Sequence, residues 1–304
     1  MTMFDRLYFV LILFATSVLH SIQFEYEDLN FNGRWDPTEN LVISKPSDKY
    51  ITIGGAVTEV VFNLGFGNSV IAVDQSSTMP SRVKDLPDVG YIRMISSEKI
   101  LSKFPNKIFT STSMSPKTAV EQLKASPLDF MMYDAPKNIE NTMKLIDSIS
   151  RDLGVVELGD ILKNRMFEQM TLIKDIKNTF DVVPQIVFFM NPKSGSYVAA
   201  GKGTIADYLI EFIGGENIFT NEFNSYQKVS EESILIKNPD IILVAAHNSA
   251  DDVSSFFLNN ENFKNLESVK NGNIIEIQMS DLTMGTSFPE NALKILKSFS
   301  LNAE

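Results

Sequence analysis

The chain has 304 residues, of which 44% are hydrophobic and 21% charged, and its formal net charge is −11. This composition is typical of a globular protein with room for two domains, and the negative charge argues against nucleic acid, whose binding depends on Lys and Arg contacts to phosphate. Cysteine is absent from the sequence, which excludes disulfides, thiolate metal sites and a cysteine nucleophile.

The N-terminal segment, residues 1–21, has the pattern of a signal peptide. Arg6 provides a short positive region, Leu7–Phe14 is an apolar run, and small residues follow. The apolar run is shorter than the roughly 20 residues that a membrane span needs, so a retained anchor is the less favoured alternative. We expect a mature protein that lies in a periplasm or outside the cell. It would keep His247 as its one histidine, which excludes multi-histidine zinc sites.

Residues 22–48 are predicted to form an N-terminal extension with a calcium loop. The segment from Asp28 to Glu39 matches the EF-hand pattern D-x-[DN]-x-[DN]-G-x5-E at every defined position. The predicted Ca²⁺ ligands are side-chain oxygens and one backbone carbonyl, from Asp28, Asn30, Asn32, Arg34, Asp36 and Glu39. No partner loop is recognisable, and an Asx-rich surface turn is the alternative. A bound ion here would hold the extension in place and would not serve the main function.

From Lys49 onward, short apolar strands alternate with amphipathic helices, which predicts an α/β fold of two Rossmann-like lobes with parallel sheets. The first lobe is expected over residues 49–156, with elements at Tyr50–Gly54, Val57–Leu64, Ser69–Val73, Ser96–Lys103, Lys107–Thr110, Thr118–Lys124, Leu128–Met132 and Ile139–Arg151. Asp160–Phe180 lacks Gly and Pro, which predicts a single long helix that joins the lobes within residues 157–182. The second lobe is expected over residues 183–304, with elements at Gln185–Met190, Thr204–Ile213, Ser230–Ile236, Asp240–Ala245, Asn273–Gln278 and Pro289–Phe299.

One segment of the chain occurs twice. Ile95–Phe109 and Val229–Leu243 align without gaps and share Ser, Glu, Ile, Leu, Lys and Pro at matching positions. Self-similarity over such a separation indicates two related lobes rather than a solenoid, whose repeats recur every ~20–50 residues. Two lobes form a cleft, so this organisation predicts a ligand-binding protein.

Several short segments resemble those of a known family. They are I-G-G-A-V-T-E-V-V-F-N-L-G at Ile53–Gly65, V-D-Q-S-S-T-M-P at Val73–Pro80, L-P-D-V-G-Y-I-R at Leu86–Arg93, I-S-S-E-K-I-L at Ile95–Leu101, M-N-P at Met190–Pro192 and A-A-G-K-G-T at Ala199–Thr204. Over residues 49–302 the chain resembles the periplasmic haem-binding proteins of bacterial ABC haem importers, whose lobes are joined by a long helix. The glycine-rich start is shared with siderophore and corrinoid binders, whereas G-Y-I-R followed by S-S-E-K-I-L is the part typical of haem binders.

The resemblance implies that Tyr91, in G-Y-x-R, is the axial ligand of the haem iron. The chemistry agrees, because ferric iron is a hard cation and a phenolate is a hard anionic oxygen donor. A free phenol has a pKa near ~10, so a neighbouring cation is needed to favour the anion. Arg93 would face the same side as Tyr91 if the segment is extended. His247 follows the predicted strand Asp240–Ala245 and is a candidate second ligand, with a loop histidine of no special role as the alternative.

Haem carries two propionate groups, which cations or backbone N–H groups would bind. The sequence offers Arg82, Lys202 and the amides at Gly203 and Thr204, where a helix is predicted to begin. The segment G-K-G-T does not have the spacing of a phosphate-binding loop, so no nucleotide chemistry is expected.

Glu98 and Glu232 occupy equivalent positions of the repeat. In the wider family such glutamates bind arginines of the two permease subunits, which the resemblance implies here. Independently, a pseudo-symmetric protein that meets a two-fold transporter needs one matching charge in each lobe. The alternative is that each carboxylate only stabilises the N-terminus of its own helix.

Together these observations predict a monomeric periplasmic protein, not an enzyme, that captures haem between its lobes. It would deliver the haem to the permease and ATPase of an ABC importer. The main alternative is the same scaffold with a ferric siderophore or a corrinoid. A secreted hydrolase is the remote alternative, because no paired carboxylates and no nucleophile–base motif are recognisable.

Overall fold

The computed structural model describes residues 23–26, 41–44, 48–190, 192, 196–246 and 253–300. The predicted signal peptide, the calcium loop and His247 lie outside these residues. The chain divides into two compact units: unit 1 comprises Met1–Arg165 and Met284–Thr286, and unit 2 comprises Met166–Thr283 and Ser287–Glu304. The boundaries predicted at residues 156 and 182 remain a prediction.

Unit 1 is built on a parallel four-stranded sheet. A separate antiparallel pair is formed by β1 (Gln23–Tyr26) and β2 (Leu41–Ser44). The sheet has the order β4-β3-β5-β6 and consists of β3 (Tyr50–Ile53), β4 (Val70–Val73), β5 (Lys107–Ser111) and β6 (Asp129–Tyr133). Its helices are α1 (Gly55–Val61), α2 (Ser97–Leu101), α3 (Lys117–Lys124) and α4 (Ile139–Leu153). Phe62–Phe66 forms a short π-helix, and Gly67–Ser69, Ser81–Asp85 and Ile92–Met94 form 3-10 turns. Residues of β3 and β5 are buried because both faces of a parallel sheet are covered.

One long helix, α5 (Val156–Lys177), runs from unit 1 into unit 2. The predicted single helix is confirmed, but it begins four residues before Asp160 and includes Gly159. A Cβ atom at Gly159 would lie 2.6 Å from Ser150 Oγ of α4. The glycine therefore permits close packing of two helices and does not interrupt α5. No helix among the described residues, α5 included, is apolar over a length sufficient to cross a membrane.

Unit 2 contains a mixed sheet. Its strands are β7 (Gln185–Met190), β8 (Tyr197–Ala200), β9 (Glu216–Asn217), β10 (Tyr226–Val229), β11 (Ile241–Ala246) and β12 (Ile274–Gln278), in the order β10-β8-β7-β11-β12 with β9 beside β7. Strands β7, β9, β11 and β12 are parallel, whereas β8 and β10 are antiparallel neighbours at one edge. The helices are α6 (Ile205–Phe212), α7 (Glu231–Lys237), α8 (Val253–Leu258), α9 (Glu267–Lys270) and α10 (Phe288–Ser300), with a 3-10 turn at Met279–Leu282. The α/β prediction is confirmed, and the antiparallel edge is an addition to it.

The repeated segment adopts the same local structure in both units. Helices α2 and α7 follow Ser96 and Ser230, whose hydroxyl oxygens accept the backbone N–H three residues later at 3.2 and 3.1 Å. Each helix leads into an interior strand of its sheet, β5 or β11. A serine N-cap therefore begins each of the two helices.

A short segment near the C-terminus, Met284–Thr286, packs on unit 1. Thr286 Oγ1 donates a hydrogen bond to Glu59 Oε1 of α1 at 2.8 Å. Thr142 Oγ1 of α4 donates to the carbonyl oxygen of Met284 at 2.9 Å. Hydrogen bonds with two buried side chains, those of Glu59 and Thr142, thus fix this segment although it is remote in sequence.

Candidate ligand-binding site

Tyr91 lies in the loop that connects β4 to α2, and backbone hydrogen bonds fix this loop to the sheet. The N–H group of Val89 donates to the carbonyl oxygen of Val73, the last residue of β4, at 2.9 Å. The N–H group of Gln75 donates to the carbonyl oxygen of Gly90 at 3.0 Å. The backbone before Tyr91 is therefore held at the carboxyl end of a parallel strand, where ligands of open α/β sheets commonly bind.

This loop contains both buried apolar side chains and exposed ones. Val89, Ile92 and Ile95 belong to the apolar core of unit 1. Tyr91 is 44% exposed, and Met94 is exposed as well. Three apolar side chains thus anchor the loop while the phenol remains accessible. Sequence reasoning missed Met94, which has no signal beyond its place in the turn.

Arg93 does not lie in extended backbone, so the assumption behind its predicted orientation is wrong. Ile92–Met94 forms a 3-10 turn, which the N–H group of Met94 closes by donating to the Tyr91 carbonyl oxygen at 2.7 Å. Side chains two residues apart share a face only in a strand. Arg93 is exposed, and Ser115 Oγ donates to its carbonyl oxygen at 2.9 Å. A role beside the phenolate remains a prediction that rests on its proximity in sequence.

The buried carboxylate of Asp74 joins the ends of β3 and β4. It accepts hydrogen bonds from the N–H group of Gly54 at 2.7 Å, from the N–H group and hydroxyl of Ser76 at 2.9 and 2.5 Å, and from the hydroxyl of Ser77 at 2.7 Å. Gln75, which binds Gly90, lies between Asp74 and Ser76. The carboxylate therefore orders the turn that supports the Tyr91 loop. Sequence reasoning missed this role, although an Asp with serines two and three residues later is typical of an Asx turn.

The tyrosines that are more deeply placed are poorly suited to form a phenolate. Burial raises the pKa of Tyr50, Tyr133, Tyr197 and Tyr226, and neighbouring carboxylates raise it further for the first three. Among tyrosines whose side chains the structure describes, Tyr91 has the exposed phenol. Within the described residues, no three His, Asp or Glu side chains lie together in a group that would hold a metal ion.

Arg82 lies in the 3-10 turn Ser81–Asp85, and its guanidinium group packs over the ring of Phe62 at 4.7 Å from the centroid. One of its nitrogens donates a long hydrogen bond to Asn68 Oδ1 at 3.4 Å. A guanidinium group has five N–H donors, so this packing is compatible with binding an anionic group at the same time.

In unit 2, the hydroxyl group of Thr204 is engaged as the N-cap of α6. It accepts the N–H group of Asp207 and donates to the Gly201 carbonyl oxygen, both at 3.0 Å. The N–H group of Gly203 donates to the Asp207 carboxylate at 3.0 Å. These partners weaken the prediction that Thr204 and the neighbouring amides bind a propionate. Lys202 is exposed, and its contact with a propionate remains a prediction.

Glu98 and Glu232 are each the second residue of their helix, α2 or α7, and both side chains are exposed. Their local environments therefore match, as the alignment predicted. Docking of these two glutamates on a partner remains a prediction.

Two α/β units connected through one long helix match the fold of the two-lobe periplasmic binding proteins. Residues 51–280 match the family model described as "Periplasmic binding protein", and the chain belongs to this family. The predicted fold class and the wider family are confirmed.

Three proteins of known or curated class are similar to this chain. The periplasmic heme-binding protein HutB of Vibrio cholerae is similar with a TM-score of 0.73 and 26% identity, covering 83% of this chain and 98% of that one. The periplasmic heme-binding protein RhuT from Roseiflexus sp. RS-1 has a TM-score of 0.76 and 24% identity, covering 85% and 100%. A vitamin B12-binding protein of Vibrio campbellii is 25% identical over 207 residues, which are 68% of this chain and 74% of that protein.

The hydrogen bonds of Asp74 lead to a stability prediction. Asp74→Asn keeps the shape of the side chain but loses the charge and one acceptor oxygen, so it should lower the free energy of unfolding by about 2–3 kcal/mol. Urea unfolding measures this loss. Asp85→Asn, at an exposed carboxylate of the same unit, is the matched control and should change it by less than about 0.5 kcal/mol. Equal effects of the two substitutions would contradict the supporting role of Asp74.

Proposed function

We propose that this chain is a periplasmic carrier, not an enzyme, that binds haem and delivers it to an ABC importer. The accessible phenol of Tyr91 on a fixed loop carries this proposal. Ferric haem combines a hard cation, which suits a phenolate, with a large apolar ring, which suits an exposed side chain such as Met94. The heme-binding proteins with a similar fold support the same class of ligand.

In this proposal Tyr91 binds the iron as a phenolate, and the surrounding cations neutralise charge. Arg93 would favour the anionic form of Tyr91, while Arg82 and Lys202 would bind the propionates through charge-assisted hydrogen bonds. A phenolate ligand also disfavours reduction of ferric iron, which suits a carrier. His247 is retained as a second ligand in the proposal, and residues 1–21 as the signal peptide that directs export.

A corrinoid is the second candidate, because relatives such as the Vibrio campbellii protein bind vitamin B12. A ferric siderophore is the third candidate, and only the shared type of fold supports it. In a siderophore complex the chelating oxygens already enclose the iron. Neither alternative requires an ionised tyrosine, so dependence on Tyr91 separates haem from both.

The haem proposal predicts that haemin gives the purified protein the absorbance spectrum of a tyrosinate-ligated ferric haem. Tyr91→Phe removes the donor oxygen but keeps the ring, so this spectrum should be lost and the affinity should fall at least about tenfold, or about 1.4 kcal/mol. Tyr133→Phe is the matched control, because its hydroxyl is bound to Asp152 at 2.7 Å, and it should keep the spectrum. An unchanged haemin spectrum on mixing, together with tight binding of cobalamin, would overturn the proposal in favour of a corrinoid.

The delivery step is proposed to use Glu98 and Glu232 as one charged contact in each unit. The double variant Glu98→Gln/Glu232→Gln should weaken binding to the cognate permease–ATPase complex in nanodiscs by roughly tenfold at low salt, because complementary charges are lost. The haemin spectrum should not change. Glu121→Gln/Glu261→Gln, at two other exposed glutamates, serves as the control. Equal affinities of the two double variants would contradict docking through the repeat.

The calcium loop Asp28–Glu39 is proposed to fix the N-terminal extension. Saturating Ca²⁺ should raise the melting temperature, since a ligand at ~100 times its Kd stabilises the state that binds it by about 2.7 kcal/mol. Glu39→Gln, which removes the bidentate ligand, should abolish the shift. A melting temperature that is independent of both Ca²⁺ and chelator would refute this site.

A further inference from the structure

Each copy of the repeat exposes large apolar side chains beside its glutamate. Leu101 and Leu235 occupy the same position of the repeat and are 36% and 37% exposed. Each follows its glutamate by three residues, so the two side chains share a helix face. We call Glu98, Leu101 and Phe104 the Glu98 patch, and Glu232, Leu235 and Ile236 the Glu232 patch.

The third residue of each patch is still more exposed. Phe104 is 80% exposed and lies three residues after the end of α2, where its N–H group donates to the Leu101 carbonyl oxygen at 3.0 Å. Ile236 is 76% exposed and lies four residues after Glu232 on α7, which places it on the same helix face. Both patches thus combine one carboxylate with two apolar side chains.

Phe104 is also placed where local structure disfavours it. Its φ angle is 52°, in the left-handed region that glycine and asparagine tolerate best. The equivalent position in the other copy is Asn238, with a φ angle of 40°. The phenylalanine therefore strains the backbone and leaves most of its ring in water, and the folded unit gains little from it. A contact with a partner explains why an apolar ring stands there.

We propose that the two patches are mixed docking surfaces for the permease, in which apolar side chains pack against the partner next to each charge contact. The proposal rests on the delivery function above and adds the chemistry of the partner surface: a basic side chain bordered by an apolar pocket. Buried aromatic and aliphatic residues commonly dominate binding at such interfaces. A bilayer fits less well, because anionic lipid headgroups repel exposed carboxylates and a chain with a net charge of −11.

The test is Phe104→Asn, which copies the residue of the equivalent position. Binding to the cognate permease–ATPase complex in nanodiscs should weaken about tenfold. The melting temperature should stay the same or rise, because asparagine tolerates this backbone, and the haemin spectrum should not change. Val182→Asn, at an apolar residue that is 79% exposed outside the repeat, is the matched control and should change binding less than about twofold.

The outcomes separate this inference from the proposals on which it rests. Unchanged binding by Phe104→Asn, with weaker binding by the Glu98→Gln/Glu232→Gln variant, would overturn the apolar contact and leave charge docking intact. Unchanged binding by both variants, with a normal haemin spectrum, would overturn docking through the repeat and leave haem binding intact. Binding to nanodiscs that lack the permease, lost in Phe104→Asn, would overturn the protein partner in favour of lipid.

Discussion

The position of Tyr91 depends on the hydrogen bonds that attach its loop to the end of β4. Val89 binds the last residue of the strand, and Gln75 binds Gly90, while the buried carboxylate of Asp74 orders the turn that contains Gln75. The apolar side chains on either side of Tyr91 are buried in the core of unit 1. A loop held in this way presents its phenol with little loss of conformational freedom on binding, which is the general advantage of a preorganised site.

Much of the fold follows from local sequence signals, and the remainder from contacts that are remote in sequence. The alternation of short apolar strands with amphipathic helices predicts most elements within a few residues. The predicted start of α5 is wrong, because the helix includes Gly159. Ser150 of α4 packs so closely on α5 that only glycine fits at this position inside the helix. The sequence prediction also missed β8 and β10, because short antiparallel strands such as these are defined by their pairing and not by a pattern of their own.

For the candidate site, the sequence identifies the residues better than their arrangement. Val89, Ile92 and Ile95 are buried at intervals of three residues, which is not the alternation of a strand, and Arg93 lies in the 3-10 turn Ile92–Met94. The link from Asp74 to Gly54 joins residues of different strands, so no local pattern reports it. The repeat is the opposite case, since its two aligned copies share a serine that begins a helix in each unit.

The proposed haem binding depends on one bond, between the phenolate oxygen of Tyr91 and ferric iron. A crystal structure of the protein grown with haemin would test this bond. We expect electron density that joins Tyr91 Oη to the iron of a porphyrin bound at the carboxyl end of β4. A porphyrin whose iron is coordinated by another side chain, with the Tyr91 ring turned away from it, would overturn the proposed ligation.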